Sequence, residues 1–86
     1  MTERVEQAME LFERISKALR AAGMAELPTS PSEELSLYGM DSLMMVLSVA
    51  ALEKEFSLRI SGHEFSEEYF RDLDALAGWM RRLGAS

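Results

Sequence analysis

Apolar side chains recur every three or four positions in three stretches of the chain, Thr2–Ala22, 41–56 and 72–83. This is the spacing of one face of a helix. Thr2 can cap the start of the first stretch, and Gly23 is placed to end it. The pattern therefore predicts three long helices. Their apolar positions include Val5, Met9, Phe12, Ile15 and Leu19 in the first and Leu73, Leu76, Ala77, Met80 and Leu83 in the last.

The segment between the first two helices, residues 23–40, contains both prolines and has no helical period. Within it, residues 30–33 (Ser-Pro-Ser-Glu) have the spacing of a capping box with proline at the first helical position. We therefore expect a packed loop with one short helical turn. The apolar side chains that can anchor this loop are Leu27, Leu35, Leu37 and Tyr38.

A second capping-box pattern, Ser-Gly-His-Glu at residues 61–64, precedes three aromatic residues. It predicts a short third helix over about residues 62–69, followed by the last helix with Asp72 as its cap. The chain is thus expected to form one all-α domain over residues 1–86. Its predicted architecture is a four-helix bundle with three longer helices, a short third helix and a long loop between helices 1 and 2.

The second helix, which Asp41 can cap, carries apolar side chains on two faces. One narrow stripe suits the core, and a second group, here named the outer patch, points more than about 90° away from that stripe. Ser42 lies between them, near the edge of the outer patch. The stripe is Met45, Val49, Leu52 and Phe56, and the outer patch is Leu43, Val46, Leu47 and Ala50.

Fifteen acidic and nine basic side chains give the chain a net charge of −6. Such a charge would repel nucleic acid, and no basic helix supports a helix-turn-helix DNA-binding protein. The sequence contains no cysteine, which excludes disulfides and cysteine-based sites. Because it also lacks a signal-peptide pattern and a long apolar run, we expect a soluble, cytoplasmic monomer without a membrane segment.

No set of residues in the sequence suggests catalysis. His63 is the single histidine and lies in a polar stretch, where an exposed position is the ordinary interpretation. The five glycines are scattered and form no phosphate-binding loop. We therefore expect neither an enzyme nor a metal site.

Ser42 remains as the candidate functional residue, in the run GMDSL at residues 39–43. Taken alone, a serine after an aspartate at a helix start is most often part of a cap. This run is followed at helical distance by LEKEF at residues 52–56 and then by Ile60. Together with the layout of four helices, these motifs resemble the signature of the acyl carrier proteins, in a discrete, stand-alone form.

That resemblance implies a carrier that itself catalyses nothing. Ser42 would be the site at which a phosphopantetheinyl transferase attaches 4'-phosphopantetheine, and Asp41 the acidic neighbour recognised in that step. The arm would present acyl thioesters to acyltransferase, ketosynthase or acyl-ligase enzymes of polyketide or fatty-acid-type biosynthesis. Gly39 and Asp41 favour an acyl carrier over the peptidyl carriers, whose motif more often has glycine and histidine before the serine.

The sequence departs from the best-known acyl carrier proteins along the second helix. Those proteins have acidic residues on its exposed side, whereas this chain has none between Asp41 and Glu53. We therefore expect partner enzymes to bind the outer patch, Leu43, Val46, Leu47 and Ala50, with Glu53 at its end. In the alternative interpretation the outer patch binds another helix, Ser42 only caps, and the chain is a non-catalytic interaction module without a prosthetic group.

Overall fold

Three α-helices form the fold, and the loops between them contain three short 3₁₀ helices. The structure is a computed structural model that describes the backbone of residues 2–85 and the side chains of residues 6–85. No strand occurs in that range, which confirms the predicted all-α class. The α-helices are α1 (Thr2–Ala22), α2 (Ser42–Phe56) and α3 (Leu73–Arg82), and the 3₁₀ helices are Leu35–Tyr38, Gly62–Glu64 and Glu67–Phe70.

The predicted end of α1 is confirmed. Gly23 has φ 126°, in the left-handed region that glycine adopts without strain. The next residue, Met24, donates its N–H to the Leu19 carbonyl at 3.1 Å, the closing bond of a Schellman motif. At the other end of α1, the predicted cap by Thr2 depends on a side chain outside the described residues.

The predicted third helix is discontinuous in the structure. Residues 62–69 form two 3₁₀ helices, with Phe65 and Ser66 extended between them. The capping box that predicted a helix is not formed, because the Ser61 hydroxyl donates to the Glu64 carboxylate at 2.8 Å instead of accepting a backbone N–H. Each short helix keeps its own backbone hydrogen bonds, such as that from the Tyr69 N–H to the Ser66 carbonyl at 3.1 Å, and side-chain packing attaches the segment to α3.

The anchor of this segment is an aromatic cluster on α3. Phe70 is buried and meets Trp79 edge to face, with 5.6 Å between ring centroids. Tyr69 stacks on the same indole at 4.6 Å, and the Arg82 guanidinium lies over the tyrosine ring. Trp79 was not among the predicted core residues, although it is 2% exposed and is central to this cluster.

The helical turn of the first loop lies later than predicted. Residues 30–33 form only a hydrogen-bonded turn, and the 3₁₀ helix is Leu35–Tyr38. Glu33 does not complete a capping box, because its carboxylate accepts the Tyr38 hydroxyl at 3.1 Å. That hydrogen bond and the nearby negative charge raise the pKa of Tyr38 above its usual value, since both favour the protonated phenol.

The core lies where the three α-helices meet. Leu52 and Phe56 of the predicted stripe are buried in it, while Met45 and Val49 are half-buried at its edge. Met9, predicted on the apolar face of α1, is instead 58% exposed, and the polar residue Ser48 is completely buried. The residues that fill the core most completely are Ile15, Leu19, Leu35, Leu52, Phe70, Leu76, Trp79 and Met80.

Helices α1 and α2 run antiparallel, as contacts at both ends show. Near the start of α2, the Met44 methyl group would lie 3.5 Å from a Cβ added at Gly23, just after the end of α1. Near the end of α2, Arg14 donates from Nε to a Glu55 carboxylate oxygen at 3.1 Å and from Nη2 to the Glu55 carbonyl at 2.9 Å. Its guanidinium also lies 4.3 Å from the centre of the Phe56 ring. The two helices are therefore tied together along the whole length of α2.

The start of α3 gives a test of the helix caps. The buried Asp72 carboxylate accepts the Ala75 N–H at 2.8 Å. Asp72→Ala should therefore lower the free energy of unfolding by about 0.5–2 kcal/mol, measured by urea denaturation followed by circular dichroism. The matched control is Asp74→Ala, which removes an exposed carboxylate in the same turn and should lower the free energy of unfolding by about 0.3 kcal/mol. Equal losses in the two variants would contradict the capping role.

Candidate functional site

Ser42 is the first residue of α2, and it is exposed. Asp41 stands before it in extended conformation, with φ −118° and ψ −174°. The Asp41 carboxylate accepts the Met44 N–H at 2.8 Å, and its carbonyl accepts the Met45 N–H at 2.9 Å. The predicted cap is thus confirmed, and it is Asp41 rather than Ser42 that forms it. The serine hydroxyl is therefore not needed to cap the helix.

The chain before Asp41 is held from two sides. Met40 is 5% exposed and donates its N–H to the Leu35 carbonyl at 3.1 Å, closing the 3₁₀ helix. Gly39 between them has φ 100°, a left-handed conformation that lets the chain turn sharply out of that helix. A buried methionine and a capping aspartate thus fix the two residues ahead of Ser42.

The electrostatics at Ser42 favour an anion. The N–H groups in the first turn of a helix have no partner within the helix and give this end a partial positive charge. The Asp41 carboxylate takes the Met44 N–H, and no further charged residue occurs between Ser42 and Leu52. A phosphodiester at the start of α2 would gain about 0.3–1 kcal/mol from the helix dipole. The residues present therefore fit a phosphate-linked group.

The outer patch faces away from the core, as the helical projection predicts. Its members Leu43, Val46 and Leu47 are 68%, 62% and 43% exposed, and Ala50 is exposed as well. Glu53, the acid expected at the end of the patch, is only half-buried, and its carboxylate accepts the Ile60 N–H at 2.8 Å. This residue fixes the loop after α2. The structure therefore brings the four apolar residues together and gives Glu53 a structural contact.

An open groove of about 570 Å³ lies beside the start of α2, within the size range of small-molecule sites. Met40 and Met45, on either side of Ser42 in the sequence, both line it. The groove lies between the first and last 3₁₀ helices, and its rim carries the acidic residues Glu34, Glu67 and Glu68. Its lining residues are Glu34, Ser36, Met40, Met45, Glu67, Glu68, Phe70 and Arg71.

The other candidates from the sequence are placed away from any site. His63 is exposed on the second 3₁₀ helix. Within residues 2–85, no group of histidine and carboxylate side chains is arranged to hold a metal ion. In the same part of the chain, no helix is long and apolar enough to cross a membrane.

Near the site, the predicted burial of Leu37 is wrong. It was expected to anchor the loop, but its side chain is 76% exposed. A 3₁₀ helix has three residues per turn, so Leu35 and Tyr38 share the inner side and Leu37 points outward. Leu35 is completely buried and Tyr38 half-buried, in agreement with this geometry. Applying a period of three to residues 35–38 would have identified Leu37 as exposed.

The conformation of Gly39 provides a test of how the start of α2 is set. Gly39→Ala should lower the free energy of unfolding by about 1–2 kcal/mol, because a side chain is strained at positive φ. A Cβ there would meet no atom within 4 Å, so crowding would not contribute. Gly62→Ala is the matched control, since that site is equally open and its φ is not positive. Chemical denaturation of both variants measures the difference, and similar values for the two would refute the argument.

Comparison with known families supports what the geometry indicates. The model of the family described as phosphopantetheine attachment site matches residues 13–80, most of the chain. Comparison with curated proteins and with solved structures finds no significant match to either. Members of this family bear 4'-phosphopantetheine covalently on a serine and interact with modifying enzymes such as phosphopantetheinyl transferases. The chain therefore belongs to the phosphopantetheine-attachment family and is a phosphopantetheine carrier with the all-helical fold of acyl carrier proteins.

Proposed function

We propose that Ser42 carries the 4'-phosphopantetheine group and that the protein is an acyl carrier protein. The observation that carries this proposal is an exposed serine hydroxyl at the first position of α2, freed from capping by Asp41. When bound, the group supplies a thiol on a flexible arm, on which acyl groups are held as thioesters. Carrier domains of this family are non-catalytic, and the proposed role of this chain is likewise to carry and present.

The proposed roles of the neighbouring residues follow from their placement. Asp41 keeps α2 beginning at Ser42 and offers a carboxylate for recognition by the transferase. Met40 and Met45 line the groove beside the serine, and soft methionine side chains suit an apolar acyl chain there. The outer patch would bind partner enzymes. Glu53, whose carboxylate already binds a backbone N–H, would support that surface rather than contact a partner.

The proposed setting is polyketide or fatty-acid-type biosynthesis in the cytoplasm, with the chain acting as one monomeric domain. Acyltransferase, ketosynthase or acyl-ligase enzymes would load the arm and collect its cargo. The charge-free face of α2 favours a carrier dedicated to one pathway, because an apolar surface selects partners by shape. The competing proposal, a helical interaction module without prosthetic group, is favoured only by the exposure of the outer patch.

Intact mass distinguishes the two proposals. After incubation with coenzyme A and a broad-specificity phosphopantetheinyl transferase, the wild-type protein should gain about 340 Da, the mass of one phosphopantetheine group. Ser42→Ala should gain nothing while unfolding at the same temperature, because Ser42 is exposed. Ser36→Ala, which removes another exposed serine hydroxyl, is the control for modification elsewhere and should gain the full mass. If several transferases leave the wild-type mass unchanged, the interaction module becomes the better explanation.

The outer patch gives the second functional test. Val46→Asp and Leu47→Asp should each slow acyl loading of the phosphopantetheinylated protein about tenfold or more, since a carboxylate would be buried against an apolar partner surface. Both residues are exposed, so thermal unfolding should not change. Met9→Asp adds the same charge at an exposed site on α1 and should load normally. Unchanged loading by the Val46 and Leu47 variants would show that partners bind elsewhere.

A further inference from the structure

Leu37 is more exposed than any of the large side chains in the outer patch. At 76% exposure it gives up most of the free energy that a leucine gains by burial, although its neighbour Leu35 is completely buried. The exposure is not caused by a loose loop end. The Leu35 carbonyl accepts the Met40 N–H, and the Leu35 N–H donates to the Arg71 carbonyl at 2.8 Å, so the 3₁₀ helix is fixed at both ends.

Leu37 is also close to Ser42 along the chain. They are five positions apart, which limits their distance to about 18 Å even for an extended chain, and the hydrogen bond from Met40 back to Leu35 shortens it further. A protein–protein interface covers about 800 Å² on each partner, a patch about 30 Å across. Such a footprint centred on Ser42 has a radius of about 15 Å, close to this upper limit on the Leu37–Ser42 distance.

The charges near Ser42 show what kind of surface that enzyme meets. The Asp41 carboxylate is bound to the Met44 N–H, and that of Glu53 to the Ile60 N–H. Glu55 pairs with Arg14 at 3.1 Å and Lys17 at 3.6 Å. These carboxylates thus serve contacts within the fold, while the exposed Glu34, Glu67 and Glu68 lie on the rim of the groove. On the outer side of α2, the surface offered to a partner is the outer patch, which Leu37 would extend.

We propose that Leu37 extends the outer patch across the start of α2, and that the phosphopantetheinyl transferase which modifies Ser42 binds both through apolar contact. The inference rests on the proposed function, because it takes Ser42 as the modified residue. The transferase is the occupant because its reaction requires it to cover this serine. Its complementary surface is expected to present apolar side chains opposite Leu37, rather than a row of lysine and arginine side chains.

The test measures steady-state kinetics of a broad-specificity phosphopantetheinyl transferase with coenzyme A and the unmodified protein. Leu37→Ser should raise the KM for the carrier about fivefold or more with kcat within about twofold, since the loss of one apolar contact of about 1 kcal/mol weakens binding about fivefold. Leu37→Met keeps the apolar contact and should stay near the wild type. Met9→Ser removes an exposed apolar side chain at the opposite end of the α1–α2 pair and should have no effect.

Salt separates apolar contact from charge attraction. Raising sodium chloride from about 0.1 to 0.5 M shortens the screening length from about 10 to 4 Å. The net charge of the protein will make every KM depend on salt, but the ratio of the Leu37→Ser value to the wild-type value should persist. A ratio that falls to about one at high salt would overturn apolar docking.

Two further outcomes decide against the inference. If the transferase modifies the Leu37→Ser variant with a KM within twofold of the wild-type value, Leu37 lies outside the transferase contact. If sedimentation velocity shows a wild-type dimer that Leu37→Ser dissociates while the KM stays unchanged, the surface binds a second copy of the chain instead. Both results leave the mass gain at Ser42 intact, whereas a wild-type protein that no transferase modifies would overturn the proposed function itself.

Discussion

The position of Ser42 depends on how α2 begins. Met40 is inserted in the core, Gly39 turns the chain in a left-handed conformation, and the Asp41 carboxylate binds the Met44 N–H. These three constraints act on consecutive residues and place the side chain of Ser42 in solvent at the start of α2. A shift of one residue would rotate α2 by 100° and turn its apolar stripe away from the core. The cap therefore fixes both the exposure of the serine and the surface around it.

The two apolar faces of α2 have different roles, and a buried polar residue on the same helix, Ser48, lowers the stability of the fold. Leu52 and Phe56 hold the helix to the core, while Arg14 binds its far end through Glu55. Ser48 is completely buried, and its hydroxyl has no hydrogen-bond partner among the described residues, which costs about 1–3 kcal/mol. The outer patch lies outside the buried core, so folding alone does not explain its apolar character.

Elements whose signals lie in the nearest few residues could be predicted from the sequence. The caps at Asp41 and Asp72 and the glycine end of α1 depend on local chemistry, and the structure has them where predicted. The same reasoning failed at residues 30–33 and 61–64, because Glu33 and Glu64 found side-chain hydroxyl partners in place of backbone N–H groups. A capping-box pattern gives the residue types but cannot show which partner each carboxylate takes.

The sequence predicted the burial of side chains only where it follows from their spacing along one helix. The stripe on α2 follows from spacing, and so does the exposure of the outer patch. Trp79, Met9 and Leu37 were misjudged because their environment depends on which elements pack together. Trp79 is covered by Tyr69 and Phe70 of the 3₁₀ helix before α3, and Met9 is exposed on α1. The candidate serine was found because its signal is a local motif, whereas Leu37 required the backbone geometry of a turn.

The separation of charge from apolar surface gives the fold two ways to act on a partner. The net charge of −6 acts over about a screening length, so it can attract a basic protein from any side. Near Ser42, the carboxylates of Asp41 and Glu53 are hydrogen-bonded within the fold. Those of Glu34, Glu67 and Glu68 lie on the rim of the groove. Apolar contact acts only at the surface that touches. Long-range attraction would therefore set how often partners meet the carrier, and Leu37 with the outer patch would decide which of them stay bound at Ser42.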